Sequence, residues 1–159
     1  MKTIEDFCRI HNACSGGRTW AIANCSNMQE AWEKAPYPVW VLWIATRRGV
    51  LTDRELRLFA VWCARRVQHL LTDPRSINAI DVAERYANGE ATDEELAAAL
   101  AAASAAVWDA NWGAAYAAAW AAARGAAWAA DGAASVADGA AAAAAQAQWL
   151  RDNTKPSFA

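Results

Sequence analysis

Along the first ninety residues, apolar positions recur at three- and four-residue spacing between residues that start and stop helices. No window keeps the two-residue alternation of a half-buried strand. Thr3 can cap a helix running to about Cys14, with Gly16-Gly17 ending it and a second short helix covering about Arg18 to Cys25. Ser26 followed by Gln29 has the spacing of a capping box for a segment holding Ala31 and Trp32, which must stop by Pro36. Tyr37-Pro38 then opens an apolar helix with Val39, Trp40, Leu42, Trp43 and Ile44, closing in Arg47-Arg48-Gly49.

Thr52 with Glu55 makes another box, and Leu56, Phe59, Ala60, Cys63, Val67 and Leu70 follow as a core-facing stripe. Asp73-Pro74 predicts a helix from Pro74 to about Ala87, with Ile77, Ile80 and Ala83 inward and Asn88-Gly89 as its stop. Thr92 with Glu95 begins the longest helical stretch. The expectation is an all-α fold: a multi-helix bundle over residues 1–151 as one domain, carrying a long Ala-rich C-terminal helix or helical hairpin, and a short tail at 152–159.

Two regularities mark the alanine-rich part. Residues 97–147 hold 31 alanines in 51 positions, so helicity is intrinsically high and side chains are too small to fill a core unaided. Trp108, Trp112, Tyr116, Trp120, Arg124 and Trp128 are spaced by four. On a straight helix that stripe drifts by about 200° over its five steps, so one flat neighbour cannot cover it. Several helices wrap it, or it bends near Gly113 or Gly125, or part of it lines a cavity. Arg124-Gly125, Asp131-Gly132 and Asp138-Gly139 recur at seven residues, each followed by two alanines. Such a seam lets two helix backbones approach closely, and it suits a helix of a second copy as well as one of the same chain.

Composition narrows the chemistry more than it identifies it. Seventeen acidic residues against fifteen basic leave a net charge of −2, so no global field draws the chain to DNA, RNA or an anionic membrane, and any anion site must be local. The N-terminus lacks the apolar run of a signal peptide and no stretch reaches the ~20 apolar residues of a membrane span, which leads to a cytoplasmic expectation. Cys8, Cys14, Cys25 and Cys63 form no CxxC pair, and with only His11 and His69 beside them they predict reduced, mostly buried thiols and no metal or other cofactor.

No phosphate loop, nucleophile elbow or metalloprotease motif occurs. His11 shares a helix face with Cys8 and Cys14, yet nothing supplies the orienting third group of a catalytic set. What remains is Trp and Arg: ten tryptophans, and arginine for twelve of the fifteen cations. Rings beside guanidinium groups can stack a base and hold its phosphates. The candidate ligand-binding residues are therefore Arg47, Arg48, Arg65 and Arg66 with Trp112, Tyr116, Trp120 and Arg124. The competing reading is structural: Arg47-Arg48 complements a helix C-terminus, single arginines pair with carboxylates on solvated faces, and the stripe faces a core.

Three stretches carry a family likeness: Ala31-Trp32-Glu33-Lys34-Ala35-Pro36 leading to Trp40 and Trp43, residues 81–96 from Asp81-Val82-Ala83-Glu84-Arg85-Tyr86 to Leu96, and the Ala/Trp region after Trp108-Asp109. In this organisation the chain resembles small phage and bacterial immunity proteins over roughly residues 30 to 150. The resemblance implies a non-enzymatic inhibitor in the conflict between bacteria, toxins and phages, acting by binding. Joined to the Trp/Arg inventory, it leads to two expectations of partner. One is a small nucleotide-like immune messenger that the protein sequesters; the other is a toxin or effector protein neutralised by direct contact.

Overall fold

The computed structural model describes residues 3–109 and 136–158, and these are helical with no strand among them. The helices are α1 (Ile4–Ile10), α2 (Ser15–Asn24), α3 (Met28–Lys34), α4 (Pro38–Ala45), α5 (Asp53–Val67), α6 (Pro74–Ala87), α7 (Asp93–Asp109) and α8 (Val136–Asn153), with a 3-10 turn at Gln68–Leu70 after α5. The all-α expectation holds for the described residues. The chain divides into two compact units, Met1–Thr52 with Ala143–Ala159, and Asp53–Ala142.

The first unit is built from short helices whose ends are individually tied. Thr3 caps α1 as expected, its hydroxyl accepting from the Asp6 amide. The helix stops at Ile10, earlier than its apolar pattern suggests, because Asn12 takes a φ of 53° and reverses the chain. Gly16-Gly17 does not end a helix but lies in the first turn of α2, which Cys14 caps with its sulfur. The box at α3 is displaced by one residue: Asn27, not Ser26, accepts from the Glu30 amide, while the Glu30 carboxylate takes the Ser26 amide. The expected Ser26/Gln29 box would satisfy the Gln29 and Ser26 amides; the Asx cap and the glutamate satisfy those of Glu30 and Ser26 instead.

Buried positions of this unit include Ile4, Phe7, Met28, Trp32, Val41, Ile44 and Leu150, and Val41 and Leu150 are 0% exposed. Phe7 meets Trp43 edge-on at 6.2 Å and Phe158 at 5.9 Å. The last residues are held too: the Ser157 amide donates to the Val50 carbonyl at 2.8 Å and Thr154 is buried.

In the second unit, α5, α6 and α7 pack through small residues. Val61, Ala64 and Ile80 form one buried cluster, and Ala79, Val82 and Ala99 another, bordered by Leu96 and Ala103. The Asp73 cap, Pro74 in the first turn and Gly89 at φ 77° stand as the sequence implies, as does the reciprocal box between Thr92 and Glu95. Leu70, expected at the inward end of the α5 stripe, is instead 58% exposed, because the helix tightens into a 3-10 turn after Val67 and rotates it outward.

The aromatic stripe beyond Trp108 and the first two steps of the Arg/Asp-Gly series lie outside the described residues. So do Trp112, Tyr116, Trp120 and Arg124. Among the described residues no helix is long and apolar enough to cross a membrane.

Candidate ligand-binding residues

The two arginine pairs fall in different units and meet different fates. In the first unit α4 ends at Ala45, leaving carbonyls without helical donors. The Thr46 hydroxyl donates to the Trp43 carbonyl at 3.0 Å, Arg47 Nε donates to the same carbonyl at 3.0 Å, and Arg47 Nη2 donates to Thr46 Oγ1 at 2.8 Å. This anchoring lays the guanidinium over the Trp43 ring, 4.8 Å from its centroid. The helix-end role and the ring contact are thus one arrangement. Arg48 beside it is exposed and has no ion pair among the described residues.

In the second unit Arg65 is fully engaged. It pairs with Asp81 at 2.7 Å and with Glu84, and donates to Gln68 Oε1 at 2.9 Å. The hydrogen bond to Glu84, helped by Asp81, raises its guanidinium pKa. With both carboxylates already satisfied, Arg65 has little left for a ligand and acts as a clamp between α5 and α6. Arg66, one residue on, points elsewhere: it is exposed and lies 5.1 Å over Trp62, which stacks at 6.3 Å on Phe59. Arg57 similarly covers Tyr86 at 4.9 Å, and the Tyr86 hydroxyl donates to Asp93.

Trp43/Arg47 and Trp62/Arg66 share a Trp-x-x-x-Arg spacing. Within α5 it puts the Trp62 ring and the Arg66 cation on one helix face, whereas Arg47 lies beyond the end of α4 and is held over its ring by the bonds to Trp43 and Thr46. Trp120/Arg124 repeats it outside the described residues. A stack of this kind, such as Arg47 on Trp43 or Arg66 on Trp62, is worth about 0.5–1 kcal/mol at an exposed site.

Charge is unevenly shared between the units. The first carries eight basic and five acidic residues, the second seven and twelve, so a chain of nearly neutral total is +3 in one unit and −5 in the other. Arg47 and Arg48 stand in the positive one.

Two further features of the first unit escape motif reading. Tyr37 and Val39 are 57% and 58% exposed, Tyr37 meets Trp40 at 4.8 Å, and Trp40 meets Trp20 at 5.7 Å, making an aromatic corner between α2 and α4. An open groove of about 410 Å3 lies between α3 and the end of α8, lined by Gln29, Glu33, Gln148, Arg151, Asp152 and Lys155 among others. Its charges alternate in sign, and Arg151 is committed to the carbonyls of Trp32 and Ala35. Among the described residues no three His, Cys, Asp or Glu side chains converge on a metal position.

Comparison with known protein families, with curated proteins and with solved structures yields no significant match to any of them.

Proposed function

We propose that the protein is a non-enzymatic binding protein of phage or bacterial defence or counter-defence, which works in the cytoplasm by sequestering a small anionic nucleotide-type messenger. The observation that carries this reading is the Arg47 guanidinium held over Trp43 with exposed Arg48 at its side, within the positively charged unit. A preorganised cation on a ring offers phosphate contacts and a stacking edge at small entropic cost. In the second unit, Arg66 on Trp62 is a separate arrangement of the same kind. Trp112, Tyr116, Trp120 and Arg124 of the alanine-rich stretch, expected on a long helix or helical hairpin, are further ligand-binding candidates in this reading and lie outside the described residues.

Calorimetry against cyclic oligonucleotides and ADP-ribose-type nucleotides tests it. Arg47→Ala and Arg48→Ala should each weaken binding by about tenfold or more, the loss expected for one charge-assisted hydrogen bond. Arg65→Ala should leave affinity unchanged and lower the melting temperature, by the about 1 kcal/mol of a solvent-screened ion-pair network. A folded sample that gives no heat with any of these nucleotides removes the messenger reading.

The exposed Tyr37 and Val39 beside half-buried Trp40 favour a second reading, an immunity-type inhibitor that neutralises a toxin or effector protein by direct contact, since interfaces are rich in Tyr and Trp. Under that reading Val39→Glu abolishes a complex that Arg48→Ala leaves intact. The Gly/Ala seam would join two copies, which light scattering reads directly.

A further inference from the structure

The turn between α1 and α2 brings two cysteines together. Asn12 reverses the chain at φ 53°, and the Ala13 amide donates back to the Cys8 carbonyl at 2.9 Å, the six-residue closure that ends many helices. Cys14 is the next residue, so it is folded back beside the end of α1. It is exposed, and the Gly17 amide donates to its sulfur at 3.4 Å.

Cys8 is its opposite. It is 6% exposed, and its thiol has no hydrogen-bond partner among the described residues. Burial pushes its pKa up, against the pull of the Arg18 guanidinium. An accessible thiol with a donor at its sulfur, one residue beyond a closure that ends on the carbonyl of a buried cysteine, has with that cysteine the division of labour of an attacking and a resolving thiol.

We propose that Cys14 and Cys8 are a peroxide-reactive modification site, at which Cys14 is oxidised first and Cys8 closes an intramolecular disulfide. The Cys14 thiolate attacks a hydroperoxide; the S–O bond forms, the O–O bond breaks, and water or an alcohol leaves. Cys8 sulfur then attacks the sulfenic sulfur; the S–S bond forms, the S–O bond breaks, and hydroxide leaves with the Cys8 proton as a second water. The peroxide gains two electrons, one from each sulfur. Closing the disulfide takes the Cys14 sulfur off the Gly17 amide. Gly17 lies beside both that sulfur and the Trp40 ring, since an added Cβ there would sit 3.3 Å from the one and 3.6 Å from the other, so Trp40 is placed to report the change. This proposal stands apart from the ligand reading.

Trypsin separates the two thiols, placing Cys8 in residues 3–9 and Cys14 in residues 10–18. The full chain treated with stoichiometric hydrogen peroxide should lose the mass of two hydrogens and yield these two peptides linked, with reducing agent separating them. Cys8→Ala should accumulate a dimedone adduct on Cys14, and Cys14→Ser, which keeps a helix-capping oxygen, should give neither product. Tryptophan emission should shift with the linkage and return on reduction. Absence of the linked peptides in wild-type protein, or adducts forming on Cys25 as fast as on Cys14, overturns the proposal. Should Cys8→Ala fail to fold, the wild-type linkage and Cys14→Ser decide it.

Discussion

Glu30 opens α3 with the Lys34 ammonium 2.6 Å from one carboxylate oxygen and the Ser26 amide 2.6 Å from the other. Those bonds, the lysine's first, hold its carboxyl down at about 2 against an ordinary 4.5. Because the folded value is the lower one, the contribution to stability is complete above about 4.5 and fades as pH falls toward 2. Glu30→Gln should therefore unfold at lower urea than wild type at pH 6, with the gap closing as the solution is acidified through that window. A gap that stays constant down to pH 2 contradicts the assignment. The sequence shows a cap here but places it one residue early, since Ser26, Asn27, Gln29 and Glu30 all have capping chemistry and only backbone geometry selects Asn27 and Glu30.

Helix ends separate what spacing shows from what it does not. Where a cap is followed by a long periodic run, as at Asp73-Pro74 or Thr92, sequence and structure agree. In α1, α2 and α3, seven to ten residues long, they diverge at one end or the other, because ends are then a large part of the element and long-range contacts decide them. Arg151 is the clearest instance. From α8 it donates to the Trp32 carbonyl at 3.1 Å and the Ala35 carbonyl at 2.9 Å, satisfying the end of a helix more than a hundred residues earlier. Nothing near Arg151 in the chain announces that role. Arg151→Ala should lower stability by about 2 kcal/mol, as for charged hydrogen bonds to buried acceptors, and Arg151→Lys should recover only part of it. Chemical denaturation measures both, and a neutral Arg151→Ala would mean that water replaces the guanidinium. Leu150→Ala, at a fully buried neighbour, sets the scale with an expected loss of about 2–5 kcal/mol.

For the whole molecule the charge difference between the units has a consequence for binding. A ligand held by Arg47 and Arg48 feels the field of the +3 unit, and that field is screened beyond about 10 Å at 0.1 M salt. Affinity for an anionic nucleotide should fall several-fold as sodium chloride rises from about 0.02 M to about 0.3 M, mainly through the association rate. Binding indifferent to salt would place the ligand on the aromatic corner instead.

The sequence by itself determined that the described chain is helical and where its longer helices begin, since periodicity and caps are local properties. It also singled out arginine and tryptophan as the chemistry available. Only the tertiary structure decided how the arginines are used. Beyond the end of α4, Arg47 is folded over Trp43 while Arg48 stays exposed, and Arg65 is spent on carboxylates that face it only when α5 and α6 pack. The same holds for Cys14: its residue type is visible in the chain, but its exposure and its return toward Cys8 come from one left-handed residue and the turn it permits. Partners distant in sequence meet only after folding, so their pairing cannot be read from spacing.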